Sequence, residues 1–414
     1  MARVVHICPR YAPARGGVES FFRRLSEHLA SRGDNVEVWT TDASTVRAFT
    51  AAGDARLPAG LEPINGVQVR RFPIRYVPLQ KYTRTAAHLL PLGEAWKCNT
   101  LRWTPWVPSL TQAARVYDQP IDIVHAAPLP YSSILHAAGV LAHRTGAKLV
   151  VSPFTHVPPP GEAGRRMAQA YLSPLNLRLL VRAAVVCAQT RLERDLLAAA
   201  GIAADRLAIT GVGVDPEEVS GGDRQRARAA WRVDGDAVVV GHLANKSRDK
   251  GTLDLLDAAE RLWDAGRRFV LVLAGPAMAG YDERLARSRH RQHVVDLGEL
   301  SDDDRRDFFA AIDVFALPSY VESFGISALE AASCGVPVVG YAHGGPREIF
   351  QDGVDALLPA PGDLPALERC LRELLVDESL RATLAAGARQ VAAAHQWPAA
   401  LARVTAAIDG LSGR

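Results

Sequence analysis

The sequence predicts an α/β protein of two doubly wound domains, each built on a parallel sheet. Its 414 residues suffice for two or three domains of about 100–200 residues. Short runs of Val, Ile and Leu alternate with helical segments from end to end, as happens when strands are buried on both faces of a parallel sheet. Two such series meet near residues 211–215. We therefore expect an N-terminal domain over 1–212 and a C-terminal domain over 213–395.

Twelve apolar runs are the predicted strands. They cover residues 4–8, 36–40, 67–72, 121–126, 148–153 and 184–188, and then 238–243, 269–274, 294–297, 314–318, 337–341 and 356–359. Apolar residues at helical spacing between them predict helices over 18–31, 190–200, 252–265, 363–377 and 397–411. Residues 73–120, rich in proline, and the proline run at 157–162 interrupt the pattern. In the first of these we expect local helices or a functional loop.

Composition excludes several classes of protein. Apolar residues make up 48% of the chain and charged residues 22%, as in a globular protein rather than a disordered or fibrous one. No apolar stretch approaches the roughly 20 residues of a membrane-spanning helix, and Pro9 comes too early for the apolar region of a secretory signal. The five cysteines show no CxxC spacing. This excludes a disulfide framework and a cysteine zinc site, and it indicates a cytoplasmic protein.

The net charge of +3 hides an asymmetry between the two halves. Residues 1–212 carry 25 Lys and Arg against 14 Asp and Glu, a net charge of +11, whereas the remainder carries 23 against 31, a net charge of −8. Residues 73–118 combine tryptophans and basic residues with few acidic ones: Trp96, Trp103, Trp106, Arg75, Lys81, Arg84, Lys97, Arg102 and Arg115, against Glu94 and Asp118. Two interpretations stay open. The segment is either a solvated surface over a local aromatic core, or a surface that meets an anionic lipid-linked acceptor or the inner membrane face.

A glycine pair, Gly16 and Gly17, follows the first strand and opens the first predicted helix. Glycines at such a position let an anion approach the backbone N–H groups of a helix N-terminus. Taken alone, however, the pair also fits a tight turn that needs a positive φ. The dinucleotide pattern G-x-G-x-x-G is absent from this turn, which disfavours a hydride-transfer enzyme.

Two glutamates after the strand at 314–318 form the strongest pattern in the chain. Glu322 is predicted in the loop before a helix, and Glu330 follows eight residues later within that helix. Glu330 lies among apolar neighbours, where an unpaired charge would be costly, so a functional role is favoured over a solvated one. Gly325 exposes backbone N–H groups at the helix start, and the next strand ends in Gly-Gly-Pro-Arg-Glu at residues 344–348.

A cationic loop follows the strand at 238–243. It contains Lys246, Arg248 and Lys250, and Lys250 is followed by Gly251 at the start of a helix. Ligands of α/β proteins bind at the carboxyl ends of parallel strands, which makes Lys250 a phosphate-binding candidate. For Lys246 and Arg248 a solvated charge run is an equally simple explanation.

These four motifs together resemble the retaining glycosyltransferases of the GT-B fold, family 4, over nearly the whole chain. The resemblance rests on Glu-x7-Glu, the Lys-Gly pair, the early Gly-Gly and the late Gly-Gly-x-x-Glu. It implies two Rossmann-like domains facing across a cleft, with the nucleotide-sugar bound mainly by the C-terminal domain and the acceptor by the N-terminal one. It also implies that the last helix, within residues 396–414, crosses back onto the first domain.

The resemblance assigns roles to individual residues. It implies that Glu330 binds the ribose hydroxyls and that Glu322 contacts the donor sugar. His156 resembles the family histidine that contacts a sugar hydroxyl, although a histidine capping the proline run is the alternative. The groups implied to hold the diphosphate are the Lys250 side chain, the backbone at Phe324 and Gly325, and the turn at Gly16 and Gly17.

One departure from the family concerns the second phosphate-binding cation. The family usually has Gly-Arg-Leu where this chain has Gly241-His242-Leu243. Either His242 supplies a weaker, pH-dependent charge, or Lys246 or Arg248 reaches in from the longer loop. Arg248 is preferred, because a guanidinium can bind a phosphate through two parallel hydrogen bonds.

The function we expect from the sequence is transfer of a sugar from a nucleoside diphosphate to an acceptor hydroxyl, with retention and without a cofactor. No Asp-x-Asp pair ends a strand, and Asp302–Asp304 looks like the start of a helix, so no metal is expected. The expected partners are the nucleotide-sugar and a small-molecule or lipid-linked acceptor, with no nucleic acid. The alternatives are a sugar-nucleotide-binding partner subunit without transferase activity and a GT-B epimerase.

Overall fold

The computed structural model describes residues 1–76, 79–101, 103–159 and 161–411. The chain divides into two compact units. Unit 1 contains residues 1–155 and 162–211 and the chain from Leu401 onward, and unit 2 contains residues 156–161 and 212–400. Among the described residues, no helix is both long and apolar enough to cross a membrane.

Unit 1 is built on one sheet with helices on its faces. Its strands are β1 (Arg3–Ile7), β2 (Asn35–Thr41), β3 (Gly60–Ile64), β4 (Val67–Phe72), β5 (Ile123–Ala126), β6 (Lys148–Val151), β7 (Val185–Ala188) and β8 (Leu207–Ile209). They lie in the order β3-β4-β2-β1-β5-β6-β7-β8, and all described pairs are parallel except β3 with β4. The helices are α1 (Gly17–Ser31), α2 (Gln80–Leu89), α3 (Glu94–Thr100), α4 (Pro108–Val116), α5 (Ser132–Thr145), α6 (Glu162–Tyr171), α7 (Pro174–Leu180) and α8 (Arg191–Ala199). Single 3-10 turns lie at Arg47–Phe49 and Ala204–Arg206.

Unit 2 is built on a second parallel sheet. Its strands are β9 (Val239–Leu243), β10 (Val270–Ala274), β11 (Val294–Gly298), β12 (Val314–Leu317), β13 (Val338–Gly340) and β14 (Ala356–Leu357), in the order β11-β10-β9-β12-β13-β14. The helices are α9 (Pro216–Val219), α10 (Arg224–Trp231), α11 (Thr252–Asp264), α12 (Tyr281–Ala286), α13 (Asp302–Ala311), α14 (Ile326–Ser333), α15 (Gly344–Ile349), α16 (Leu364–Val376) and α17 (Glu378–Ala394), with a 3-10 turn at Arg291–His293. The last helix, α18 (Trp397–Asp409), begins in unit 2 and continues in unit 1.

The predicted fold class, two α/β domains on parallel sheets, is confirmed, and all twelve apolar runs form strands. The sequence missed β3 and β8. Four of the five residues of β3 are exposed and it contains Pro63, so this antiparallel edge strand lacks the apolar pattern of a buried one. β8 has only three residues. Residues 73–120, which interrupt the strand pattern, contain the short helices α2, α3 and α4. Local helices were one of the two expectations for this segment, the other being a functional loop.

Candidate functional site

Lys250 and Glu322 form an ion pair at the carboxyl edge of the unit 2 sheet. Lys250 Nζ lies 2.9 Å from Glu322 Oε2 and also donates to the carbonyl of Val321 at 2.8 Å. Lys250 follows β9 and Glu322 follows β12, and these strands are neighbours in the sheet. The two loops are therefore adjacent although 72 residues separate the charged side chains in sequence.

Backbone contacts hold the two loops at this distance. The N–H groups of Tyr320 and Val321 both donate to the carbonyl of Asp249, at 2.9 and 3.1 Å. Gly251 has φ +68°, and a Cβ there would lie 1.7 Å from the carbonyl oxygen of Pro318. The Lys-Gly pair is thus explained in part by packing, because only glycine allows this approach.

Glu322 is ionised in this environment. Burial alone favours the protonated form, but the charge of Lys250 and the N–H of Gly325, which donates to Oε1 at 3.1 Å, hold the pKa of Glu322 below its usual value. Glu322 lies in the loop before α14, as predicted, and Gly325 begins that helix with φ +92°. Both carboxylate oxygens therefore have a donor.

His156 lies in the electrostatic field of the same ion pair. The sequence suggested that it belongs to the first domain, but the segment that begins at His156 is part of unit 2. Burial, and after it the charge of Lys250, lowers the pKa of His156 to about 4, while Glu322 opposes the shift. The neighbouring His343 is hydrogen-bonded to the carbonyl of Val157 at 2.9 Å. The structure thus brings His156, Lys250 and Glu322 together, with the histidine neutral at physiological pH.

Glu330 is buried on α14 and is paired with Arg305 of α13. An exposed fraction of 7% is consistent with the expectation that this carboxylate is not a solvated surface charge. Sequence reasoning missed Arg305, because it lies 25 residues before Glu330, in an acidic run that only indicates a helix start. That run does form a capping box, with Ser301 as the N-cap and Asp304 as its partner.

The loop 322–325 packs tightly against the start of α15. A Cβ on Gly344 would lie 2.0 Å from the carbonyl oxygen of Glu322, and one on Gly345 would lie 2.1 Å from that of Phe324. Among the described side chains, none caps the N-terminus of α14. The N–H of Gly325 already donates to Glu322, but the N–H groups of Ile326 and Ser327, which follow it, are available to an anion at a helix of eight residues, next to Lys250.

His242 does not provide the second cation. Its side chain is fully buried between β9 and α11, and its ring nitrogens are hydrogen-bonded to the Ala316 carbonyl at 2.8 Å and to Thr252 Oγ1 at 2.9 Å. Burial lowers the pKa of His242 to about 4, so the prediction that it could supply a pH-dependent charge near neutrality is wrong. The histidine instead holds the start of α11 against the sheet.

Lys246 is also engaged. It is 2% exposed, forms an ion pair with Asp296 and lies 4.7 Å from the ring centre of Tyr281. Arg248 is exposed and makes no ion pair with any described residue. Of the three candidates for the second cation, Arg248 alone keeps its charge available, and its role in phosphate binding stays a prediction.

The glycine turn of unit 1 encloses a buried ion pair that the sequence did not indicate. Glu19, in the first turn of α1, lies 2.7 Å from Arg10, and burial raises the pKa of Glu19 even though Arg10 opposes this. A Cβ on Gly16 would lie 2.2 Å from Glu19 Oε2. Gly16 also has φ +154°, a conformation that favours glycine, so the turn by itself accounts for this residue, while anion binding by Gly16 and Gly17 stays a prediction.

Within the described ranges, no group of three or more His, Cys, Asp or Glu side chains is arranged to hold a metal ion.

Comparison with known proteins places the chain among sugar-transferring enzymes. Residues 223–391 match the family described as glycosyl transferases group 1, and residues 16–213 match the glycosyl transferase 4-like domain. The chain is 30% identical to D-inositol 3-phosphate glycosyltransferase of Salinispora arenicola, over 95% of this chain and 87% of that protein. It is 28% identical to 2-deoxystreptamine N-acetyl-D-glucosaminyltransferase of Streptomyces fradiae, over 92% and 89%. Its fold is similar to that of Anabaena HepE in complex with UDP and glucose (TM-score 0.74, 20% identity, all of both chains covered).

Proposed function

The chain belongs to the group 1 glycosyltransferases and is a hexosyltransferase of the GT-B fold, and from this membership we propose a specific reaction. The enzyme transfers a hexose from a nucleoside diphosphate to an acceptor hydroxyl, with retention of anomeric configuration and without a metal ion. The observation that carries the proposal is the Lys250–Glu322 ion pair beside the open N-terminus of α14. A fixed cation and free N–H groups at one sheet edge are what a departing diphosphate needs.

The chemical difficulty is charge separation. As the bond between the sugar carbon and the phosphate oxygen breaks, negative charge develops on the diphosphate and positive charge on the sugar carbon. Lys250 and the N–H groups after Gly325 stabilise the first charge, and Arg248 adds a second cation. Lys250 and the start of α14 are already held in place by contacts between their loops, so little reorganisation of these donors accompanies the reaction.

The surroundings of Glu322 favour a binding role over a nucleophilic one. Lys250 engages one of its oxygens and Gly325 the other, which weakens the carboxylate as a nucleophile. We assign Glu322 and the neutral His156 to hydroxyls of the donor sugar, and Glu330 to the ribose. Retention then follows if the acceptor oxygen attacks the sugar carbon from the same face that the diphosphate leaves. The proton of the acceptor hydroxyl passes to the departing phosphate oxygen.

The proposal is tested by incubating the protein with a panel of nucleotide-sugars and measuring nucleoside diphosphate release. A ligand that binds only the folded state also raises the melting temperature, which identifies the donor independently of turnover. The HepE complex supports beginning the panel with UDP-sugars. Stabilisation without any release, with or without acceptors, would favour the partner-subunit alternative, and conversion of the donor into an epimer would favour an epimerase.

A second proposal concerns a contact between unit 1 and the cytoplasmic membrane face. Large apolar side chains are exposed on α2 and directly before and after it, namely Leu79, Tyr82, Leu89, Leu90 and Leu92. They lie in the half of the chain with a net charge of +11, so an anionic bilayer would attract this surface.

Not every basic residue expected on this surface is available to lipid. Arg84 is buried and donates to the carbonyls of Asn99, Leu101 and Thr104, so the prediction of a surface role for it is wrong. Arg102 and the side chain of Lys81 lie outside the described residues.

A further inference from the structure

Asp254, in the first turn of α11, accepts two tyrosine hydroxyls on the same oxygen. The hydroxyls of Tyr320 and Tyr341 each donate to Asp254 Oδ2 at 2.6 Å. α11 follows β9, Tyr320 follows β12 and Tyr341 follows β13, and these three strands are neighbours in the sheet of unit 2. One carboxylate therefore joins the loops after three adjacent strands, at the edge of the sheet where Lys250 and Glu322 lie.

The two tyrosines form these bonds as neutral phenols. Burial, and after it the bond to Asp254, raises the pKa of both side chains, that of Tyr320 to about 12. Their rings meet edge to face with centroids 5.1 Å apart, and Tyr341 is 1% exposed. A hydroxyl that donates to a carboxylate at this distance forms a charge-assisted bond, which is stronger than a bond between neutral groups. The cluster is consequently a firm connection between the loops.

Tyr320 is bound at both of its ends to the segment that leads into α11. Its backbone N–H donates to the carbonyl of Asp249 at 2.9 Å, and its hydroxyl donates to Asp254. Lys250 lies between these two acceptors in sequence, and Glu322 lies two residues after Tyr320. The separation of the Lys250 and Glu322 side chains therefore depends on how firmly Tyr320 is held.

Packing by itself does not require the Tyr320 hydroxyl. The half-buried ring lies against the apolar core of unit 2, and a phenylalanine would fill the same space. It would lack the bond to Asp254, so the loop at 320–322 would keep its backbone bonds alone on this side. Asp254 would still accept the hydroxyl of Tyr341. Loss of the hydroxyl should thus loosen the loop without unfolding unit 2.

We propose that Tyr320 is a positioning residue for Glu322, because its hydroxyl bond to Asp254 holds the loop at 320–322 at the distance from Lys250 that turnover requires. The inference rests on the proposed function, in which Glu322 contacts the donor sugar, and adds to it a residue that acts through Glu322. A displacement of about 1 Å can cost about 10²-fold in rate, so even limited loosening of the loop is measurable.

The kinetic test compares Tyr320→Phe, Glu322→Gln and the double variant. Tyr320→Phe should lower kcat for nucleoside diphosphate release about three- to tenfold, the range expected for one hydrogen bond. Its affinity for free nucleoside diphosphate, measured by calorimetric titration, should change little. In the Glu322→Gln background the same change should cost nothing further, because its effect passes through Glu322. A purely structural role of the hydroxyl predicts losses that multiply.

Hydrogen exchange of backbone amides gives a second readout that needs no activity. In the ligand-free protein, the amides of residues 320 and 321 donate to the carbonyl of Asp249. They should exchange about three- to tenfold faster in Tyr320→Phe, while the melting temperature stays near that of the wild type. Tyr117→Phe is the matched control, since it removes a half-buried tyrosine hydroxyl of unit 1 that is bonded to Arg3 at 3.1 Å. It should change neither kcat nor this exchange.

Unchanged exchange at residues 320 and 321 in Tyr320→Phe would overturn the proposal. A kcat equal to that of the wild type, or a loss of the same size in the wild-type and Glu322→Gln backgrounds, would overturn it too. Failure of the proposed function is distinguishable, because it would appear as absent nucleoside diphosphate release by the wild type. The exchange rates would then decide by themselves whether the hydroxyl of Tyr320 holds the loop.

Discussion

Lys250 Nζ lies 2.9 Å from the carboxylate of Glu322 and 2.8 Å from the carbonyl of Val321, so its charge is shared between two acceptors from one loop. A single lysine thereby links the loop after β9 to the loop after β12. Binding of a diphosphate would add a third acceptor to the same ammonium group.

Replacement of Lys250 by Ala should reduce turnover about 10²–10³-fold, as for the loss of one donor that stabilises developing negative charge. The measurement is nucleoside diphosphate release at saturating donor. Lys148→Ala, which removes an exposed lysine at the start of β6, is the matched control and should keep full activity. A Lys250→Ala variant within a few-fold of wild type would show that another cation holds the phosphate.

Substitution of the two glutamates should affect different quantities, nucleotide affinity in one case and turnover in the other. Glu330→Gln should chiefly weaken nucleoside diphosphate affinity, because this carboxylate is assigned to the ribose. Glu322→Gln should impair turnover while free nucleotide still binds. Calorimetric titration with the nucleotide and steady-state kinetics give the two readouts, and identical effects of both changes on both readouts would contradict the assignment.

Activity should survive EDTA. Lys250, a second cation and helix N–H groups are proposed to take the charge of the leaving group, which leaves no role for a divalent ion. The control is the same assay with added magnesium or manganese, which should change the rate little. Complete loss in EDTA that either metal restores would refute the metal-independent mechanism.

Unit 1 should lose stability in mild acid. His6 and His125 are buried side by side on β1 and β5, and burial lowers the pKa of His125 to about 3 and that of His6 well below its usual value. The unfolded chain therefore binds more protons than the folded one below about pH 6.5, and each histidine costs about 1.4 kcal/mol per pH unit there. The stability that these two histidines contribute is full above this pH and decreases as the pH falls towards 3, whereas buried Glu193, whose pKa burial raises to about 7, acts in the opposite direction.

Thermal unfolding between pH 7 and pH 4.5 checks this prediction. His125→Gln should show a smaller decrease in melting temperature across this range than wild type, whereas His143→Gln, at an exposed position on α5, should follow the wild type. Parallel curves for His125→Gln and wild type would show that these buried imidazoles do not control acid stability.

The double variant Leu89→Ser and Leu90→Ser should lose co-sedimentation with anionic liposomes. Each apolar side chain adds buried area at the membrane interface, and the basic surface adds attraction that weakens as the Debye length falls to about 3 Å at 1 M salt. Val116→Ser removes an equally exposed apolar residue of α4 and should bind as the wild type does. Wild-type binding that is absent at low salt, or indifferent to lipid charge, would leave the surface as a solvated one.

The sequence by itself determined the twelve apolar strands, several of the helices and the motifs, because these depend on local patterns. The run at 314–318 is apolar enough to be a strand wherever it lies, and Gly325 marks the start of α14 by its own conformational freedom. The exposed strand β3 escaped prediction for the same reason, since no local apolar pattern marks it.

Only the tertiary structure decided which of the candidate side chains are free to act. His242 at the end of β9 and Lys246 and Arg248 in the loop after it look alike in sequence as candidate cations, yet burial makes the first neutral and Asp296 binds the second. No local pattern in the sequence indicated that Glu330 pairs with Arg305 or that Glu19 pairs with Arg10. Charge state depends on desolvation and on the nearest opposite charge, and both are set by residues that are distant in sequence and meet only in the folded chain.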